Sequence, residues 1–474
     1  MRVAVALGGD RSCRRAAWFA AAMLCVAGAC WFSSAPAWAD NPCSQPVGQS
    51  SFPPGNPRVV AATVAGERVK ILLPADYRSS KRRYPALYLL HGSQGSEDSW
   101  LVYSDLVEFT RPLTGARGAI VVMPGGDGSG LWIDWRNGRH HYERDIVDGL
   151  IHYVDRHFRT LPDRAHRAIA GYSAGGFSVM HIAARHPDLF AAAGAFSGAL
   201  NATYRSPIGE AVFNALFGVG SACEGGSPTD SGAVGDPVTQ EIWWHNANPV
   251  DLAPNFTGMA EVYAASGNGV PCDLNDAVTL VIPFADLEPG VEQMTEDFDA
   301  ALTDARVAHT TDLYGCGIHW WPYWQRDLHD FWPRMLRAFG SPPPARFRYR
   351  TAEPDFSVWG WRFRADPARA AEFLDVSDGT SSALTLTGSG AEMLTTPARY
   401  RPGQTVRVTG AKPTTATADS RGRVTVTVGL GPPDKQQEYA PGASAPRRTS
   451  RRVTFRAVRS GRQPGSRQRS PRSS

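Results

Sequence analysis

Gly171-Tyr172-Ser173-Ala174-Gly175 follows the short apolar run Arg167 to Ala170 and leads into Phe177 to Arg185, whose apolar residues recur at helical spacing. A serine is thereby set on a tight turn from a strand into a helix. Glycine on either side suits such a turn, because a Cβ there would meet the adjoining strand and helix. Outward from this turn the same alternation repeats. Short apolar runs stand at Ala86 to Leu90, Ala119 to Met123, Ala192 to Phe196, Glu261 to Ala265 and Thr310 to Tyr314. Between them, Tyr142 to Phe158 places Ile146, Leu150, Val154 and Phe158 on one helical face. Strands alternating with helices predict an α/β fold, a mostly parallel sheet flanked by helices.

The remaining sequence predicts the organisation around this domain. Arg2, Arg11, Arg14 and Arg15 precede the apolar run Ala16 to Phe32, and Ala37-Trp38-Ala39 follows. This pattern predicts a signal peptide over 1–39 cleaved after Ala39, a secreted or cell-wall-associated protein, and no transmembrane segment in the mature chain. Residues 40–340 form the α/β domain, in which the Gly-, Ser- and Pro-rich stretch Ser221 to Pro237 reads as a loop or lid margin. Ser341-Pro342-Pro343-Pro344 reads as a linker. Beyond it, alternating runs such as Ala383 to Leu386 and Arg423 to Val428 predict a small β-sandwich-like domain over 341–455. The Arg- and Ser-rich tail 456–474 has nothing to bury and is expected to be disordered. Ser173 thus lies in the larger of two folded domains.

Composition narrows the function classes. With 474 residues, 42% apolar and 14 Trp, the chain can build sizeable cores. Of the formal net charge of +4, residues 444–474 carry +10 and residues 1–39 carry +3, which leaves 40–443 at −9. The basic character therefore belongs to the tail, and the folded part presents no nucleic-acid-binding charge. Downstream of residue 39 stand Cys43, Cys223, Cys272 and Cys316, an even set that suggests disulfides in an exported protein, with three pairings open. No CxxC pair suggests zinc.

A serine nucleophile needs a base, and on this kind of turn the partners follow in the order serine, acid, histidine. That order, with the turn at Ser173, specifies the α/β-hydrolase fold. Among His181, His186, His245, His309, His319 and His329, only His319 stands in a loop just past a late strand, within Gly315 to Trp324. His319 is therefore the expected base, while His181 and His186 lie on the helix after the serine as structural residues. The orienting carboxylate should follow the strand ending near Ala265, and Asp273, Asp276, Asp286 and Glu288 all satisfy that position. An oxyanion intermediate needs two backbone N–H donors. Ala174, after the serine, supplies one, and Ser93, in the loop His91-Gly92-Ser93-Gln94 after an early strand, supplies the other. His91 is read as a loop-bracing residue.

These residues resemble the secreted esterase family that includes the antigen-85-type mycolyltransferases. The resemblance spans roughly Phe52 to Phe339. It is carried by Tyr84 to Gly92, Met123-Pro124 followed by Asp134-Trp135, the turn at Ser173, Phe196-Ser197-Gly198, and His319 followed by Trp320, Trp321, Tyr323 and Trp324. In that family the acid is a glutamate shortly after an Ile-Pro pair and some thirty residues before the histidine. Ile282-Pro283 and Glu288 match this pattern, so the resemblance selects Glu288, with Asp273 as runner-up. The sequence departs from the mycolyltransferases where they carry Asp-Gly-Leu-Arg and this chain has His91-Gly92-Ser93-Gln94. An arginine associated with their sugar substrate is thus missing, which argues against trehalose transfer.

The resulting expectation is an exported serine carboxylesterase or acyltransferase that works through an acyl-enzyme on a small-molecule, lipid or glycolipid ester. Trp135, Trp320 and Trp321 are expected to line the substrate site. Mycolyltransferase-like transfer to a sugar or glycerol acceptor is an alternative. A catalytically silent protein that binds cell-wall glycan is the alternative from a different class. Neither cofactor nor metal is implied.

Overall fold

Runs of Ala, Val, Ile and Leu pair into one central sheet in the computed structural model, which describes residues 52–126, 130–204, 232–280 and 287–458. Residues 1–39, where a signal peptide is expected, Cys43, Cys223, most of the stretch 221–237, Ile282-Pro283, Asp286 and the tail from 459 lie outside the described residues. The strands of this sheet are β1 (Val59–Val64), β2 (Glu67–Leu72), β3 (Ala86–Leu90), β4 (Ile120–Pro124), β5 (Arg167–Tyr172), β6 (Ala192–Phe196), β7 (Glu261–Ser266) and β8 (Thr310–Leu313). They stand in the order β1-β2-β4-β3-β5-β6-β7-β8. β1 and β2 form an antiparallel hairpin, and β2 joins β4 antiparallel. Every pairing from β4 through β3 to β8 is parallel.

Parallel strands covered on both faces read as continuous apolar runs, because both sets of alternating side chains are buried. β3 shows this directly. Ala86, Tyr88 and Leu90 join the core on one face, Leu87 and Leu89 that on the other, and all five are at most 2% exposed. One face is covered by α1 (residues 142–157), α2 (Ala174–Arg185) and α5 (Glu288–Asp304), which bury Ile146, Leu150 and Val154, then Phe177 and Met180, then Val291 and Phe298. The other face is covered by α6 (Trp321–Ala338) through Trp324, Leu328, Phe331 and Met335. Two short helices, α3 (Glu241–Ala247) and α4 (Leu274–Thr279), complete the set used below. The middle of α1, Asp145–Leu150, widens into π-helical turns, and Phe158 lies past its last turn in extended backbone.

Residues 341–346 carry the chain from α6 into two antiparallel sheets. One consists of β10 (Asp355–Val358), β11 (Trp361–Ala365), β14 (Ala391–Thr395) and β17 (Thr425–Gly429). The other contains β9 (Phe347–Thr351), β12 (Leu374–Gly379), β13 (Ala383–Gly388), β15 (Thr405–Thr409), β16 (Thr415–Thr417) and β18 (Thr449–Ala457). Strict alternation in β15 and β17 buries Val406, Val408, Val426 and Val428 in a separate core with Trp361, Phe363, Leu384 and Phe455.

These sheets dock onto the α/β part through polar contacts. Asn255 exchanges hydrogen bonds with the Arg350 backbone at 2.7 and 3.0 Å, and Asn246 Oδ1 accepts from the Ala352 N–H at 2.7 Å. Ala352 and Phe373 also join the core on the α1–α2 face of the main sheet. The described residues belong to one compact unit.

Candidate active site

In the parallel register of β3 and β5, Leu90 lies opposite Gly171. Their C-terminal ends therefore deliver His91-Gly92 and Tyr172-Ser173 side by side, where the strand order doubles back through β4-β3-β5. Phe196 of β6 likewise lies opposite Ala265 of β7, and Ser266 opposite Leu313 of β8. Ser197, Ser266 and the loop bearing His319 thus gather at the same edge.

Ser173 holds φ +55° and ψ −124°, a conformation that costs a non-glycine residue about 1–3 kcal/mol. The surroundings impose it. The Ser173 N–H donates to Phe196 O at 2.9 Å, and Ser173 O accepts from the Phe177 N–H at 3.1 Å as the first turn of α2 closes. A Cβ on Gly175 would lie 2.4 Å from His91 O, and one on Gly92 would lie 2.8 Å from Ser173 Cβ. The glycines are required by the close approach of the β3 loop as well as by the turn itself.

His319 Nε2 lies 2.8 Å from Ser173 Oγ, and its Nδ1 lies 2.7 Å from Glu288 Oε2. An ionised carboxylate can only accept, so Nδ1 carries the proton and Nε2 is left to accept from the serine hydroxyl. His319 is 5% exposed and Glu288 is fully buried, whereas Ser173 is half-buried and reachable. Glu288 opens α5, and its other oxygen is also held. Oε1 accepts from Ser197 Oγ at 2.7 Å and lies 2.9 Å from both Ser266 Oγ and the Gly267 N–H. Beside the nucleophile, burial raises the pKa of the Tyr172 hydroxyl and keeps it neutral.

Among the described residues, the acid candidates Asp273 and Asp276 serve elsewhere. Asp273 caps α4, accepting from the N–H groups of Asn275 and Asp276 at 2.7 and 3.0 Å. Asp276 accepts from the Cys272 N–H at 2.8 Å and from the Tyr323 hydroxyl. The remaining histidines sit on structural partners. His181 and His186 meet Glu143 at 3.0 and 2.7 Å, and His245, His309 and His329 each meet an aspartate. A disulfide joins Cys272 to Cys316, one of the three pairings the sequence left open. It links the loop after β7 to the loop that carries His319. Two backbone bonds reinforce that link, Gly269 N–H to Gly317 O at 2.8 Å and Gly317 N–H to Val270 O at 2.7 Å.

Ala174 begins α2 directly after the serine, and Ser93 lies on the loop whose Gly92 abuts Ser173. That loop is braced from several sides. The His91 ring nitrogens lie 2.8 Å from Gly92 O and 2.6 Å from Gly125 O, and Trp132 Nε1–H donates to His91 O at 3.1 Å. A Cβ on Gly130 would come within 2.5 Å of Ser93 N, so the backbone at Gly130 packs against the same peptide.

The three tryptophans separate. Trp320 is half-buried next to His319 and precedes α6. Trp321 meets Tyr172 and Trp324 edge-on at 4.7 and 5.1 Å, and Trp324 in turn meets the His319 ring at 5.1 Å. Trp135, in contrast, lines a different cavity, whose wall includes none of Ser173, Glu288 and His319. Ser197 and Ser266, which hold Glu288, escaped the sequence reading. Phe196-Ser197-Gly198 was visible as a motif, but only strand register assigns its hydroxyl a partner. Among the described residues no three His, Cys, Asp or Glu side chains are arranged to hold a metal ion, and no helix is long and apolar enough to cross a membrane.

Residues 65–335 match the Esterase family model, described as "Putative esterase". Esterase Rv1288 of Mycobacterium tuberculosis is 29% identical over 244 residues, 51% of this chain and 50% of that protein, so the chain spans about half the length of this relative. The diacylglycerol acyltransferase/mycolyltransferase Ag85A of Mycobacterium tuberculosis is 26% identical over 283 residues, 57% of this chain and 78% of that one. Among solved structures, Mycobacterium tuberculosis MPT51 (FbpC1) aligns with a TM-score of 0.47 and 20% identity, over 59% of this chain and 98% of that one.

Proposed function

The chain belongs to the Esterase family, and on that premise we propose that it is an exported serine carboxylesterase or acyltransferase whose nucleophile is Ser173. The observation that supports this reading is the unbroken chain from Ser173 Oγ through His319 to Glu288, at 2.8 and 2.7 Å. Ser173 Oγ attacks the ester carbonyl and its proton passes to His319 Nε2. The imidazolium is stabilised and oriented by Glu288 through the Nδ1–H. Negative charge on the former carbonyl oxygen meets the N–H groups of Ser93 and Ala174. His319 then gives its proton to the leaving alcohol, which departs and leaves an acyl-serine. In the second half His319 deprotonates water, or an alcohol acceptor seated in its place, and the acyl group leaves the enzyme.

Trp320 and Trp321, beside His319, border the ester. Export rests on the signal pattern at 1–39 and is supported by the Cys272–Cys316 disulfide, a bond that persists in oxidising compartments.

A fluorophosphonate probe with mass mapping tests this assignment. Labelling is expected at Ser173, absent in Ser173→Ala and strongly slowed in His319→Ala, with ester turnover falling about 10³- to 10⁶-fold in both. Glu288→Gln should cost far more activity than Asp273→Asn, whose cap lies outside the proton path. Absence of labelling in folded protein would leave the silent-binding alternative standing, and a larger loss at Asp273 would overturn the choice of acid.

A further inference from the structure

The net −9 of residues 40–443 conceals a division between the two parts of the fold. Residues 40–340 hold 34 acidic and 22 basic side chains, whereas residues 341–458 hold 18 Lys and Arg against 10 Asp and Glu. The α/β part is therefore at −12, and the C-terminal sheets are at +8. Part of that positive charge lies on the six-stranded sheet. Its strands β9, β12, β13, β15, β16 and β18 carry six Arg and, as acids, only Asp375 and Asp378.

Strand alternation separates the two faces of this sheet. Val406, Val408, Val453 and Phe455 join the core between the sheets, so Arg407, Thr409, Thr454 and Arg456 lie on the opposite, outer face. Register places Thr415, Arg407 and Arg456 side by side across β16, β15 and β18. Ser377, Thr385 and Arg452 form a second such row across β12, β13 and β18. The two rows stand four residues apart on β18, about 13 Å, with the small side chains of Ala383, Thr454 and Thr409 between them.

Arg407 and Arg456 are both exposed and directly opposed, an arrangement in which like charges repel. The two acids of the sheet are engaged elsewhere. Asp375 meets Arg448 at 2.8 Å and Arg350 at 3.5 Å, and Asp378 meets Arg346 and Arg452 at 3.7 and 3.8 Å. Neither Arg407 nor Arg456 forms an ion pair among the described residues, so the fold leaves their repulsion uncompensated and an anion would relieve it. A tetrahedral phosphodiester presents one non-bridging oxygen to each guanidinium, whereas a planar carboxylate is filled by a single arginine fork. None of the six strands exposes a large apolar side chain, and one exposed valine, Val458, follows β18. The face thus offers neither an aromatic platform for nucleic-acid bases nor an apolar wedge for a membrane. The hydroxyls of Thr409, Thr415 and Thr454 both donate and accept, which suits hydroxylated units between phosphates. We propose that this face docks a linear phosphodiester polymer built on small polyols, its phosphates held by Arg407, Arg456 and Arg452.

This surface is independent of the ester chemistry, so it is tested on the full chain by the anisotropy of a short fluorescent poly(glycerol phosphate). Saturable binding is expected at low salt, weakening about tenfold between about 50 and about 200 mM salt. Arg407→Ser with Arg456→Ser should weaken binding about tenfold and leave the melting temperature unchanged or raised, because it removes the opposed pair. Arg452→Ser, on the second row, should cost about threefold and gives an independent reading. As a matched control, Arg467→Ser with Arg469→Ser removes the same charge outside the described residues and should cost less than about threefold. Absence of saturable binding, unchanged affinity in the sheet variants, or equal losses from the two serine pairs would overturn the proposal. Tighter binding of polygalacturonate, duplex DNA or phosphatidylglycerol vesicles overturns it equally.

Discussion

In the proposed triad, Glu288 sets the geometry of His319 from outside the proton-transferring pair. Its Oε2 orients His319, while three donors converge on Oε1, so the carboxylate cannot rotate without losing several bonds. Ser197→Ala and Ser266→Ala should each lower kcat about three- to thirtyfold with little change in KM, and together they should cost more. Steady-state kinetics beside melting curves check this, and a loss that follows melting temperature alone would point to a merely structural role. A different buried carboxylate contributes to pH dependence. Glu392 on β14 has no hydrogen-bond partner for either oxygen among the described residues and lies 3.5 Å from Arg369. Burial pushes its carboxyl from the ordinary 4.5 up to about 8, despite the attraction of Arg369. Between those pH values the folded chain binds more protons than the unfolded one, so stability falls as pH rises through the window. Glu392→Gln should flatten that fall and melt a few degrees above wild type near pH 8.5. Parallel melting-versus-pH curves for the two proteins would refute the assignment.

At the scale of elements, the site depends on where strands end. The register of β3 with β5 and of β6 with β7 sets the serine beside its braced loop and Ser197 beside Ser266, before any side chain chooses a rotamer. The loop carrying His319 follows β8 at the sheet edge. The Cys272–Cys316 bond ties it to the loop after β7 across 44 residues of sequence. Replacing both cysteines by serine should cost about 2–4 kcal/mol in denaturant unfolding. It should also lower kcat under conditions where the protein remains folded. Full activity of a verified disulfide-free variant would show that the two backbone bonds at Gly269 and Gly317 suffice.

For the whole molecule, the C-terminal sheets keep a core of their own and dock onto the α/β part. Phe373 and Ala352 are buried in the core on the α1–α2 face, Tyr349 donates its hydroxyl to Arg185 O at 3.0 Å, and the Trp359 N–H donates to Asp188 at 2.8 Å. Ending the chain after Ser341 would expose this apolar surface and leave Asn246 and Asn255 without backbone partners. The truncated protein is expected to aggregate or to melt at least about 10 °C lower. Size-exclusion chromatography with thermal melting decides the matter, since a monodisperse fragment of unchanged stability would mean that the docking contributes nothing.

Local patterns made the main architecture readable. Doubly buried strands must be continuously apolar, helices on a sheet must repeat near 3.6 residues, and a strained strand-to-helix turn requires small neighbours, so the α/β alternation, Ser173, Ala174 and the β-rich C-terminal part were visible in the residue order. His319 was readable from chain order, because a late loop histidine is what such a turn needs downstream. The acid was readable only through the resemblance. Four carboxylates fit by position and the resemblance selects Glu288, which in the fold meets His319, whereas Asp273 satisfies a helix end. Cysteine pairing, the hydroxyls behind Glu288 and the placement of Trp135 in a cavity away from Ser173 were equally out of reach of the sequence. Each depends on strand register and on distances between segments far apart in the chain, which periodicity and composition do not encode.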